Sequence, residues 1–138
     1  MSRRAFYRLA LLCTVVLAMA TVGWAKTYPM TSTGAVPGAA GNVNVSKAKH
    51  GNIQIVVKVR HLSKPGMLTP PANTYVVWLQ GEGAQPQSLG EMKVGDNLKG
   101  ALRASTPLGN FTVFITAEID SQTTTPSNQV VLRARVQE

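Results

Sequence analysis

The chain has 138 residues, and its 14 Lys and Arg against 6 Asp and Glu give a net charge of +8. That length is typical of a single domain. Three of the arginines lie within the first eight residues, and no run elsewhere reaches five or six like charges. The charge pattern therefore argues against a nucleic-acid-binding arm, and it indicates at most an attraction to anionic surfaces.

Residues 1–25 have the order of a secretory signal peptide. Three arginines precede the uncharged apolar stretch 9–24, and small residues stand at and near Ala20 and Ala25. We expect export to the periplasm or the extracellular space, with cleavage after Ala25 or after Ala20. The alternative is an anchor in the inner membrane formed by residues 9–25, because 17 apolar residues lie at the lower end of the spanning range.

The one cysteine, Cys13, lies inside this leader. It follows Leu12, whereas a lipid-attachment signal requires a small residue before its cysteine. Cleavage removes Cys13, so we expect the mature chain to have no disulfide, no thiol nucleophile and no cysteine metal ligand.

The chain beyond the leader divides into a short linker and one domain. Residues 26–41 contain Pro, Gly, Ser and Thr with little apolar mass, and they predict an extended linker or a weakly ordered edge segment. Residues 42–138 predict the domain itself. Its first two strands, near 42–49 and 52–62, alternate apolar and polar residues around a turn signal at His50-Gly51-Asn52.

The stretch 75–80 predicts the central strand of the domain. It is uncharged, with Tyr75, Val77 and Leu79 on one face and Val76 and Trp78 on the other. A strand that is apolar on both faces is normally covered on both sides. We therefore expect Trp78 to be buried.

Four further strands follow, near residues 88–94, 98–105, 111–118 and 130–137. Seven strands at regular spacing, with no helical periodicity, predict an all-β fold: an immunoglobulin-like antiparallel β-sandwich after an N-terminal signal helix. An up-and-down barrel is the alternative. Phe114 has the outward parity of its strand, which indicates either an exposed apolar patch or a cover from the N-terminal segment.

Several of these residues carry a family resemblance. The segment 59–79 resembles the extracytoplasmic domain of anti-sigma-K factors, in which a proline- and glycine-bearing crossover leads into a Tyr-x-x-Trp-Leu strand. The matching positions here are His61-Leu62, Pro65, Pro70-Pro71, Tyr75, Trp78 and Leu79. Ser88-Leu-Gly90 and the segment 111–126 resemble later parts of the same domain, so the resemblance spans about 80 residues.

The resemblance implies a fold and a cellular setting more than an activity. The family has a cytoplasmic zinc-binding helical domain and a membrane span before the sandwich, whereas here only eight residues precede the apolar stretch. It therefore implies an exported copy of the sensor-side module, without the part that binds a sigma factor.

No set of residues predicts catalysis, a cofactor or a metal site. His50 and His61 stand at the two ends of one predicted strand, about 25–30 Å apart at 3.3 Å per residue. Glu118 and Asp120 share a parity and are the one candidate carboxylate pair for acid–base work, a pattern that equally describes a solvated loop.

The candidate binding residues are basic and lie on three predicted strands. They are Lys47, Lys49, Lys58, Arg60, Arg133 and Arg135. If they adjoin, they form a patch for an envelope protein or an anionic surface. The alternative is that they protect exposed edge strands from sheet-to-sheet pairing.

These features predict a non-catalytic, exported interaction or sensor-like module of the bacterial cell envelope. The alternative is a structural or adhesive envelope component that assembles through its edge strands, the first or the last, by β-augmentation. An enzyme is the weakest hypothesis, and the oligomeric state is left open.

Overall fold

The computed structural model describes residues 25–138, which form an all-β fold with no α-helix in this part of the chain. The all-β prediction is therefore confirmed. The eight strands are β1 Ala25–Ser32, β2 Ala40–Lys47, β3 Ile53–Arg60, β4 Thr74–Gly81, β5 Gln87–Met92, β6 Gly100–Thr106, β7 Asn110–Glu118 and β8 Val130–Gln137. The predictions for the leader, including Cys13 and cleavage after Ala20, fall on residues outside the described part.

All eight strands belong to one antiparallel sheet that nearly closes on itself. Its order is β5-β4-β7-β8-β1-β2-β3-β6, so β5 and β6 are the two edges. β1 joins the two halves of this sheet: residues 25–30 pair with β2, and Thr31 and Ser32 pair with β8. The apolar core lies between the halves, because both contribute their inward side chains to one cluster of buried residues.

The period-two pattern of β3 and β7 places these inward side chains as the sequence predicts. Ile55 and Val57 of β3 have no exposed surface, and neither do Val113 and Ile115 of β7. The His50-Gly51-Asn52 turn also forms as predicted, with positive φ at His50 and Gly51. The 3₁₀ turn at Lys49–Gly51 connects β2 to β3.

β4 lies between β5 and β7, and six of its eight residues are buried. Its inner face, with Tyr75, Val77 and Leu79, joins the main core. On its outer face, Val76 and Trp78 form a second apolar cluster with Phe114. Trp78 is fully buried, which confirms the prediction for that residue.

The outer cluster explains why Phe114 is not an exposed patch. The Phe114 and Trp78 rings stack with their centroids 6.4 Å apart, Val130 packs against the cluster, and the Arg133 guanidinium lies 5.7 Å from the Phe114 centroid. Only 5% of Phe114 is exposed. The cover comes from Trp78 of β4 and from Val130 and Arg133 of β8 rather than from the N-terminal segment.

The segment 26–41 differs from the predicted linker. Most of it is a strand or packs on the core, since β1 lies between β2 and β8 and Met30, Val36 and Ala39 are buried. This additional strand brings the count to eight, where the sequence pattern predicts seven. Pro29 and the low apolar content of β1 removed the alternation by which the other strands were recognised.

No helix among residues 25–138 is long and apolar enough to span a membrane.

Candidate functional site: a cationic groove

Four basic side chains line an open groove at one end of the β2–β3–β6 half of the sheet. Lys58 and Arg60 come from β3, and Lys93 and Lys99 come from the connection between β5 and β6. The groove has a volume of about 520 Å³, and none of its nine lining residues is acidic. The remaining lining residues are Gly41, Asn42, Val59, Gly100 and Ala101.

The register of three neighbouring strands builds this groove. Asn42 of β2, Lys58 of β3 and Ala101 of β6 are directly paired, so their side chains stand in one row on the outer face. The short side chains of Asn42 and Ala101 flank the long one of Lys58. The neighbours of Lys58 in this row therefore rise less far from the sheet than Lys58 does, which leaves space for a ligand beside its side chain.

Two glycines let the surrounding strands approach closely. A Cβ on Gly41 would lie 2.8 Å from the Lys58 carbonyl oxygen, and a Cβ on Gly100 would lie 3.0 Å from the Lys93 carbonyl oxygen. A side chain at either position would push these backbones apart. Gly41 and Gly100 therefore hold the elements that carry the four cations close together.

The four cations of the groove have no ion-pair partner among residues 25–138. The ion pairs in this part of the chain are Lys26–Glu138, Lys64–Asp96 and Arg135–Glu82. Asp96 lies in the same connection as Lys93 and Lys99, but Lys64 holds it through a hydrogen bond that lowers the pKa of Asp96 below its ordinary value. The groove consequently keeps a concentrated, uncompensated positive charge.

Asn42 adds an unsatisfied polar group to the groove. Its Oδ1 is buried and has no hydrogen-bond partner among the described residues. An unpaired buried acceptor costs about 1–3 kcal/mol.

Only two of the six basic residues singled out from the sequence lie in the groove. Lys58 and Arg60 line it, while Lys47 and Lys49 stand at the opposite ends of β2 and β3, beside the 3₁₀ turn. Arg133 lies over Phe114, and Arg135 donates to the Glu82 carboxylate at 2.8 Å. The strand order separates β8 from β3 by β1 and β2, so Arg133 and Arg135 belong to a different part of the sheet from Lys58 and Arg60.

The sequence pattern does not predict that Lys93 and Lys99 join this groove, because the residues that they meet there, Lys58 and Arg60, are distant in sequence. The chain leaves β3, builds β4 and β5 in the other half of the sheet, and returns to pair β6 with β3. The local sequence pattern does not predict that β6 pairs with β3. The signal available was the pair of basic residues flanking the Gly95-Asp96-Asn97 turn, which by itself describes a solvated loop.

The strand residues that carry the family resemblance, Tyr75, Trp78 and Leu79, lie in the interior of the protein. Tyr75, Trp78 and Leu79 are buried in β4, and the Tyr75 hydroxyl donates to the Ser63 carbonyl oxygen at 2.5 Å. Burial raises the pKa of Tyr75 to about 12. Their side chains support the core and leave the groove to other residues.

The other titratable candidates are dispersed. His50 and His61 are both exposed residues with positive φ, located in turns at opposite ends of β3. Glu118 is buried and accepts hydrogen bonds from Thr116 and Ser127, whereas exposed Asp120 accepts one from the Gln122 backbone N–H. Among the described residues, no three His, Cys, Asp or Glu side chains lie close enough together to hold a metal ion.

Comparison of the chain with protein-family models gives no match, and comparison with curated proteins gives no significant similarity.

Proposed function

We propose that the chain is an exported, non-catalytic binding module of the bacterial cell envelope that holds an anionic partner in the cationic groove. The observation that carries this proposal is the set of four cations, Lys58, Arg60, Lys93 and Lys99, gathered around one groove without an ion-pair partner among residues 25–138. Clustering like charges is unfavourable in isolation, so a bound anion offsets the repulsion.

The architecture proposed for this module is a β-sandwich of the immunoglobulin-like kind. The topology supports two layers, because β1 pairs with β2 through its first part and with β8 through its last two residues. A common core between the β5–β4–β7 strands and the β2–β3–β6 strands also supports it. On the resemblance to the extracytoplasmic domain of anti-sigma-K factors, the module is a sensor-side domain.

Export to the periplasm or the extracellular space follows from the leader pattern, with anchoring through residues 9–25 as the alternative. In both cases the groove faces the envelope, where anionic polymers, lipid headgroups and acidic proteins are available as partners.

The test compares charge reversals inside and outside the groove in the purified full-length protein. Lys58→Glu/Lys99→Glu and Lys47→Glu/Lys49→Glu change the net charge equally, and only the first pair lies in the groove. We expect the groove variant to bind poly-L-glutamate about tenfold more weakly than the parent, because it replaces attraction by repulsion at the contact. The control variant should lose far less. Equal losses in both variants would leave only general charge attraction and overturn the groove.

A structural or adhesive role through edge strands is the second candidate. The first and last strands that the sequence predicts are β2 and β8. β2 is paired along both sides, whereas β8 pairs with β1 only at Leu132 and Arg133, so residues 134–137 of β8 keep an edge outside that ladder. β5 and β6, the end strands of the sheet order, offer the other edges that an assembly role could use.

A further inference from the structure

The opening of the sheet lies between β5 and β6. These strands are adjacent in the chain and meet at their connection, where the Gly95 N–H donates to the Lys99 carbonyl oxygen, but they form no ladder with each other. Beyond this connection, β6 is the free edge of the β2–β3–β6 half, and β5 is the free edge of the β5–β4–β7 half. A free edge presents unpaired backbone groups to solvent.

The register shows which β6 residues present those groups. The Ala48 N–H donates to the Asn52 carbonyl oxygen one position beyond the last ladder pair, Lys47–Ile53, so the hydrogen-bonded positions of the β2–β3 ladder are the even-numbered residues. Because the two pair types alternate, the odd-numbered residues of β3 bond to β6, and Val57–Leu102 and Ile55–Ala104 are hydrogen-bonded pairs. The backbone groups of Ala101, Arg103 and Ser105 therefore point to the free edge.

Pro29 supports this assignment of hydrogen-bonded and non-hydrogen-bonded pairs. In the β1–β2 ladder it stands opposite Asn42, and the alternation makes this a pair without hydrogen bonds. A proline, which has no backbone N–H, fits only at such a position or at an edge.

The inward side chains at the opening are less covered than those in the middle of the sheet. Leu89 of β5 and Leu102 and Ala104 of β6 are half-buried, whereas Val57, which pairs with Leu102, has no exposed surface. An added strand with apolar residues on its inner face would cover Leu89 and Leu102 further. The gain in buried apolar area would contribute to binding.

β6 is the better edge of the two. β5 has a register shift opposite Val77 and Trp78 and a positive φ at Gly90, and a bulge of this kind disturbs pairing with a further strand. β5 also carries Glu91, while β6 has no register shift in its ladder with β3 and shows Arg103 on its outer face, with Lys99 just before it. The groove adjoins β6 through Lys99, Gly100 and Ala101.

We propose that β6 accepts an extended segment of a partner protein in which acidic and apolar side chains alternate. The segment pairs with the backbone of Ala101, Arg103 and Ser105. Its carboxylates lie on the outer face beside Arg103 and the groove cations, and its apolar residues cover Leu102. This inference rests on the proposed function, since it names the anionic partner of the groove as an acidic peptide strand.

The first experiment changes only the ligand. The probe is a capped nonapeptide of alternating Glu and Val, and its control is the same peptide with N-methyl groups on alternate backbone amides, which keeps the charge and blocks pairing on one edge. The two possible N-methyl phases are compared on the purified full-length protein by calorimetry. We expect one phase to bind about as well as the parent peptide and the other at least about tenfold more weakly, since only one edge of the peptide faces β6. Equal binding of all three peptides would overturn strand addition.

The second experiment changes only the protein. Ser105→Pro removes an N–H that points to the free edge and leaves the β3–β6 ladder and the net charge unchanged. We expect about tenfold weaker binding of the Glu/Val peptide, with unchanged binding of poly-L-glutamate at Lys58 and Lys99. If Ser105→Pro fails to fold, the N-methyl series still decides the question.

The outcomes separate the two proposals. The Lys58→Glu/Lys99→Glu variant could lose its binding of poly-L-glutamate while neither N-methylation nor Ser105→Pro changes binding of the peptide. That result would support the groove as an anion site and overturn strand addition at β6. If neither probe binds the parent protein, both fall. If the parent is a dimer in sedimentation and Ser105→Pro is a monomer, the occupant of β6 is a second copy and the acidic partner is overturned.

Discussion

Two groups of polar residues in this protein differ in how well they are paired. On the outer face of β4 and β7, the Trp78 Nε1–H donates to Thr116 Oγ1 at 2.8 Å, and the Thr116 hydroxyl donates to Glu118 Oε1 at 2.8 Å. The Ser127 N–H donates to the same Glu118 oxygen at 2.6 Å, so the chain of bonds extends into the loop after β7. In the groove, by contrast, the four cations have no ion-pair partner among the described residues.

The difference indicates which polar groups serve stability and which are available to a ligand. A buried chain in which every group is paired holds its elements together, and removing one member leaves the others unsatisfied. Exposed cations without partners contribute little to folding and keep their full charge for binding. Substitutions in the first group should therefore unfold the protein, and substitutions in the second should spare the fold and change affinity.

The largest effect is expected for Trp78→Ala. Removing a fully buried indole leaves a cavity beside Phe114 and takes away the donor to Thr116 Oγ1, and such truncations cost about 3–5 kcal/mol. Denaturant unfolding followed by far-UV circular dichroism measures the loss. A loss below about 1 kcal/mol would show that the outer cluster adds little to stability.

The next effect is expected for Glu118→Ala, which removes the acceptor shared by Thr116 and Ser127. Two donors lose their partner, so we expect a loss of about 2–4 kcal/mol. Glu118→Gln is the matched control, because it keeps an acceptor oxygen at nearly the same position and should cost less. Hydrogen exchange of the Ser127 amide should rise more in the alanine variant, and equal stability of the two variants would contradict this role.

Tyr75 predicts a loss of stability in alkali. Its pKa is near 10 in the unfolded chain and about 12 in the folded one, so the folded state binds the proton more tightly. The contribution of Tyr75 is complete below pH 10 and disappears as the pH rises to 12, by about 1–2 kcal/mol after allowance for screening by solvent. Unfolding curves at a series of pH values measure this fall.

Tyr75→Phe is the control for that series. It removes the titrating hydroxyl together with its hydrogen bond to Ser63, at a cost of about 1 kcal/mol near neutral pH. Between pH 10 and 12 the variant should lose less stability than the parent. Parallel curves for the two proteins would place the alkaline loss elsewhere.

The smallest effect on folding is expected in the groove. Lys58→Gln/Lys99→Gln removes two like charges without an ion-pair partner among residues 25–138, so its unfolding free energy should stay within about 0.5 kcal/mol of the parent value or rise slightly. The same variant should bind poly-L-glutamate more weakly. A destabilisation of about 2 kcal/mol or more, which is the cost of a lost buried interaction, would mean that these lysines stabilise the fold.

The sequence predicted the interior of this fold better than its groove. Alternation identified the inward faces of β3 and β7, and the uncharged stretch around Trp78 identified a strand covered on both sides. These features are local, because a side chain's face depends on its parity within one strand. The pattern does not predict β1 as a strand, because Pro29 and its polar neighbours interrupt the alternation. Pairing with β2 and β8 nevertheless holds β1 in the sheet.

The groove depends on which strands become neighbours, and the sequence pattern does not contain that information. Lys58 and Lys99 are 41 positions apart and meet only because β6 returns to β3 after two strands in the other half. The same topology separates Arg133 from Lys58, although both seemed equal members of a basic surface. Composition indicated how many cations there are, and only the strand order shows which of them act together.

The position of the two chain ends gives this arrangement a direction. Lys26 and Glu138 form an ion pair at 3.6 Å, and β1 pairs its first residues with the end of β2, whereas the groove includes the start of β2. Any segment or attachment that precedes Ala25 therefore enters at the pole opposite the groove, beside the exit of the chain. A protein held from that pole would display the four groove cations outward, toward whatever approaches from the surrounding space.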